Sequence, residues 1–150
     1  MRTRFPFVVL AALISLPVLA HHNYRLRYDY DVAITLTGIV TKFDWKNPHV
    51  EIYLDVEDES GNVTNWTMPT AAPGVFNRIG FDPDTVLSGD ELIVTGAPAR
   101  NGSNEMRARS MTLEDGSWFW LSPGKIPDGF PGVPADYQPV PRPGSQTSSD

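Results

Sequence analysis

The chain has 150 residues, with 12 basic and 18 acidic side chains, a formal net charge of −6 and no cysteine. That acidic balance works against nucleic acid and anionic lipid, both of which need basic surfaces. The absence of cysteine excludes disulfides and lipid attachment at a thiol, so stability must come from a packed core. The length suits one domain.

The first twenty residues follow a secretory plan. Arg2 and Arg4 give a positive start, Phe5 to Leu16 is almost wholly apolar, and Pro17 interrupts the run before Val18-Leu19-Ala20. Cleavage after Ala20 is expected. The apolar run is shorter than the roughly 20 residues of a membrane span, so no stable span is expected once the signal is removed. The expected location is periplasmic or secreted.

The mature chain reads mostly as strands. Ile34 to Trp45 is rich in Thr, Ile, Val and aromatics, and its alternation changes phase. Leu36 and Val40 lie on one side, Phe43 and Trp45 on the other, and Gly38 near the switch suggests a bulge or sharp coil. Asn47-Pro48 turns the chain. From His49 to Glu57 the alternation is clean, with Val50, Ile52, Leu54 and Val56 on one face, as in a half-buried antiparallel strand. Asp58 to Asn62 reads as a hairpin loop and Val63 to Met68 as the returning strand. Pro69 to Phe81 suits a short helix stopped by Gly80. Glu91 to Gly96, Met106 to Leu113 and Ser117 to Leu121 complete the strands.

Three strands, a helix and further strands match the order of a small OB-like Greek-key β-barrel, with one short helix between strands 3 and 4. A small β-sandwich of the same strands is the alternative. We therefore expect a mainly β protein with a signal peptide (1–20), an OB-like domain (21–121) and a Pro/Gly/Ser-rich extended tail (122–150). The tail's apolar residues are isolated, which argues against a packed element there. Phe130 and Tyr137 are the tail residues suited to touch the domain.

Several segments go together: Ala20-His21-His22, Leu36 to Lys42, Trp45-Lys46-Asn47-Pro48-His49, and Gly89 to Gly96. They resemble a family of small exported bacterial proteins, domain of unknown function 6152, whose members read Ala-His-His after the signal and Asn-Pro-His after the first strand. The resemblance covers roughly residues 20–116. It implies location and fold and brings no activity with it. The mid-chain helix, less basic than the resemblance implies, and the long Pro-rich tail depart from the pattern.

The three histidines, His21, His22 and His49, carry the main chemical expectation. Cleavage after Ala20 would give His21 a free α-amine beside its own imidazole, and these two nitrogens can chelate one ion. His49 would supply a third nitrogen, a set that suits Cu(II). Asp44 or Glu51 could orient an imidazole from outside. A start at Ala20 would instead place His22 third, giving an amine, two amides and an imidazole. The bland reading of the histidines is a polar pair tolerated by the peptidase and a turn residue bonded to backbone.

A weaker expectation is a ligand surface drawn from Phe43, Trp45, Tyr53, Trp66, Trp118, Phe119 and Trp120, with Trp45, Tyr53 and Trp118 as its ligand residues. Large core fillers explain such residues equally well. Arg100, Arg107 and Arg109 read as a solvated face or as partners of Glu105 and Glu114. The hairpin carboxylates Asp55, Glu57, Asp58 and Glu59 are a remote candidate for Ca²⁺. No Gly-x-Ser-x-Gly elbow, phosphate loop or His-Glu-x-x-His pattern appears, which argues against an enzyme.

The sequence thus leads to an exported protein binding a metal ion, copper, through His21 and His49 with His22 adjacent. The alternative is a non-catalytic module for a small molecule, glycan or partner protein. A copper-dependent oxidase is a third, more distant reading.

Overall fold

The computed structural model describes residues 24–138. The expected signal segment 1–20, His21, His22 and the polar end of the tail lie outside the described residues.

A short helix, α1 (Tyr24–Arg27), precedes the strands β1 (Ile34–Asp44), β2 (Glu51–Glu57) and β3 (Val63–Pro69). Helix α2 (Pro73–Arg78) follows, then β4 (Glu91–Pro98), β5 (Met106–Thr112) and β6 (Trp118–Trp120). The strands form one sheet in the order β3-β2-β1-β4-β5-β6, every neighbour antiparallel. The protein is mainly β, as its alternating apolar pattern predicts.

Strand β1 is long because it serves two partners. Its first half, Ile34 to Ile39, pairs with β4, and Ile39 to Asp44 pairs with β2. The register slips between Val40 and Lys42, just beyond Gly38. This bulge turns Phe43 back to the side of Leu36 and Val40, so all three pack on the same core, not on opposite sides. Gly38 meets a different need: a Cβ there would lie 2.5 Å from the Asp55 carbonyl oxygen.

The main core is built from Val40, Ile52, Leu54, Met68, Leu92, Val94, Met106 and Met111, all buried. Helix α2, with proline at its start, covers one end of this core. Phe76 on α2 meets the rings of Phe43, Trp45 and Phe81, with centroids 5.6–5.9 Å away. Gly80 at φ +88 then ends the helix, where an L side chain would be strained.

The two sides of the sheet approach each other at one place. Thr67 of β3 forms a parallel bridge with Glu105, and its amide donates to the Asn104 carbonyl at 3.1 Å. No continuous ladder joins β3 to β5 among the described residues, so the sheet is open in its strand order.

Two segments outside the strands are held by aromatic residues. Before β1, Tyr28 is fully buried with Ala97 and Ala99 and bridges Ala99. Asp29 N–H donates to the Pro98 carbonyl and Arg100 N–H to the Arg27 carbonyl, both at 2.9 Å. After β6, Phe130 packs edge-on against Trp120 at 5.0 Å and Tyr137 against Trp118 at 4.7 Å. Within the described residues, no helix is long and apolar enough to cross a membrane.

Candidate functional site

The corner between β1 and β2 carries the one histidine among the described residues. Lys46 ties its two sides together, donating to Asp44 and Glu51 at 2.8 Å each. Glu51 also accepts from the Tyr53 hydroxyl at 2.7 Å. Lys46 holds both carboxyls below their ordinary range, and their bonds to it raise its own pKa. The peptide bond Asn47–Pro48 is cis, and His49 follows it.

His49 lines a cleft of 660 Å³ together with Tyr24, Arg27, Glu51, Thr67 and Glu105. Helix α1 supplies one wall. The Tyr24 ring meets the His49 ring edge-on, with centroids 5.5 Å apart and planes at 79°. The Arg107 guanidinium lies 4.4 Å from the Tyr24 ring centroid, a cation–π contact. Arg107 itself is buried and donates to the Thr70 carbonyl, which ties α1 to the turn after β3. Burial raises the Tyr24 hydroxyl pKa, with Arg107 opposing.

The same segment also joins a charge-assisted group in the cleft. Glu105 accepts from the Arg27 guanidinium at 2.6 Å and from the Tyr28 hydroxyl. Burial, then the bond to Glu105, pushes the Tyr28 hydroxyl far above its ordinary value. The cleft therefore has fixed walls: each carboxylate is already bonded, and Tyr28 is locked in the smaller core cluster.

The expected residues distribute unevenly. His49 lies in the cleft, two residues from Glu51. His21 and His22 lie outside the described residues, but Tyr24, three residues after His21, is in contact with His49. Asp44 and Glu51 are engaged by Lys46, so their charge is already matched. No group of three His, Asp or Glu side chains among the described residues could hold a metal ion by itself.

Among the described residues, ring contacts join Phe43 to Trp45 and Trp118 to Trp120, but not the three expected ligand residues to one another. Trp45 packs on Phe43 and Phe76 against the core. Tyr53 bonds Glu51 and has the Lys42 ammonium 5.7 Å from its ring. Trp118 stacks on Trp120, with Tyr137 against it. No ring contact links Trp45, Tyr53 and Trp118 among the described residues.

The arginines also separate. Arg100 pairs with Asp29 at 3.0 Å, Arg107 is buried beneath Tyr24, and Arg109 is ringed by aromatics. Glu105 serves Arg27 and Tyr28, and Glu114 accepts from the Glu91 amide, so neither forms the expected arginine pair. In the hairpin, the Asp58 carboxylate accepts from the Asn62 side chain and from the Asn62 and Ser60 backbone amides, which lowers its pKa.

Sequence reasoning missed Tyr24, Arg27 and Glu105. The tyrosines at 24, 28 and 30, directly after the expected cleavage site, were the available signal. Spacing alone does not show that this segment folds back onto β4.

Fold and cleft together define a small, mainly β protein with a histidine-bearing cleft closed on one side by its N-terminal segment. The chain belongs to the family of unknown function DUF6152, whose pattern it matches over residues 9–108. No curated protein matches it by sequence. Among solved structures it is similar to a crystal structure of a complex of TiaS with a tRNA and ATP, at 15% identity and a TM-score of 0.42. That similarity covers 58% of this chain and 19% of the other.

Proposed function

We propose that this is an exported protein that binds a metal ion, copper, through the α-amine and imidazole of His21 together with His49. One observation carries the reading: the Tyr24 ring rests 5.5 Å from the His49 ring inside one cleft. Three residues of chain reach at most about 10 Å, so His21 starts within range of His49. His22 is the adjacent substitute ligand. An amine and two imidazoles form a nitrogen set that suits Cu(II).

The reading includes an OB-like barrel. The Thr67–Glu105 bridge and the helix between β3 and β4 support closure of the sheet on itself. A second reading, a non-catalytic binding module, is favoured by the cleft volume of 660 Å³, which falls in the range of small-molecule sites.

The test is Cu(II) titration with EPR on protein beginning at His21, on the same chain with a Gly-Ser extension, and on His49→Ala. Binding should be strongest in the first form and weaker in the other two, with altered spectra. Equal binding by all three, or a mature terminus other than His21 by mass spectrometry, overturns the amine-plus-imidazole set.

A further inference from the structure

A second cleft, of 300 Å³, lies between the segment before β1 and the segment after β6. Its central cation is Arg109 of β5. Three rings from distant parts of the chain surround this guanidinium: Tyr30 at 5.4 Å, Trp120 at 5.1 Å and Phe130 at 4.9 Å, measured to their centroids. Aromatic faces attract a cation, but they give its N–H groups only weak N–H···π contacts in place of oxygen acceptors. The Arg109 Nε is buried with no hydrogen-bond partner.

A second cation stands beside it. The Arg25 guanidinium lies 5.8 Å from the centroid of the ring they share, Tyr30, and Arg25 also lines the cleft. Among the described residues, neither arginine has a carboxylate within the 4.0 Å of an ion pair. Two carboxylates, Asp31 and Asp128, do line the cleft, but both are exposed at its rim. Arg109 is half-buried and Arg25 exposed, so the two cations stand side by side without a carboxylate counter-ion. Burial lowers the Arg109 pKa from its usual value.

We infer that this cleft binds a small organic monocarboxylate, with the Arg109 guanidinium as its counter-ion and Arg25 at the opening. A planar carboxylate matches the donor fork of a guanidinium, and Arg109 presents its cation to the cleft lining with no carboxylate paired to it. Phe130, Pro127 and Pro131 give the ligand's body an apolar wall. Asp31 and Asp128 at the rim disfavour dianions, which separates a carboxylate from phosphate. The volume, at the lower limit for small-molecule sites, limits the ligand to a compact molecule. The inference is independent of the copper reading.

The test uses ¹⁵N-labelled mature protein titrated with sodium benzoate, following the Arg109 Nε–H resonance, identified by its loss in Arg109→Gln. The resonance should move saturably, and Trp120 should change the tryptophan emission in step. Removing the charge-assisted contact in Arg109→Gln should weaken benzoate about tenfold to a hundredfold. Arg25→Gln, an exposed substitution that leaves the fold intact, should weaken it by a smaller factor. Inorganic phosphate should not saturate. Absence of a saturable shift with benzoate, unchanged affinity in Arg25→Gln, or phosphate binding as tightly as benzoate each overturns the assignment.

Discussion

Replacing Tyr28 by Phe isolates one oxygen. The ring is fully buried between Ala97 and Ala99, so Phe keeps the packing and removes only the hydroxyl that donates to Glu105. A hydrogen bond to a charged acceptor contributes about 1.5–3 kcal/mol. Glu105 retains Arg27, so no charge is left unpaired, and the expected loss at neutral pH is about 1.5 kcal/mol, the lower end. Urea unfolding followed by tryptophan emission should show a lower midpoint at an unchanged slope. The pH dependence is more telling. The folded protein holds the Tyr28 proton well above the ordinary value of 10.0, whereas the unfolded chain releases it there. The stabilisation is therefore complete below pH 10 and declines as pH rises towards the folded value, by up to about 1.4 kcal/mol per pH unit. Tyr28→Phe lacks this decline, so the gap between the two proteins should narrow above pH 10. Other tyrosines titrate in both and cancel in the difference. Parallel alkaline curves, or a variant as stable as the parent at pH 7, would refute the assigned bond.

Two glycines in the fold should respond oppositely to alanine. A Cβ at Gly96 would collide with the Arg107 carbonyl and sit 2.8 Å from Met106 Cγ, so Gly96→Ala should cost about 3 kcal/mol and lower Tm by more than about 10 °C in calorimetry. Gly74 in α2 has no atom within 4 Å of its Cβ position, and Gly74→Ala should stabilise by about 0.5–1 kcal/mol. In the β2–β3 hairpin, bonds from the Asn62 side chain and amide hold the Asp58 carboxyl below its ordinary value. The turn should stay intact above about pH 4 and loosen as pH falls through the lower folded value. Amide shifts of Gly61 and Asn62 should follow that titration in the parent and not in Asp58→Asn; a midpoint at the ordinary Asp value would contradict the bonding.

Periodicity by itself determined the strands and the helix between β3 and β4. A half-buried strand must alternate, so Ile52, Leu54 and their neighbours declare β2, and Gly80 declares the end of α2. The same local logic singled out His49 at a corner. The tertiary structure decided what no local pattern encodes: that α1 folds back onto His49, that Arg107 lies buried beneath Tyr24, and that Arg109 sits among Tyr30, Trp120 and Phe130. It also scattered Trp45, Tyr53 and Trp118, which composition alone had grouped. Alternation reports which side of a strand meets apolar surroundings, because burial acts on each residue separately. Which distant side chains meet there depends on strand order, on the bulge at Thr41 and on the folding back of the two ends, and these are properties of the whole chain.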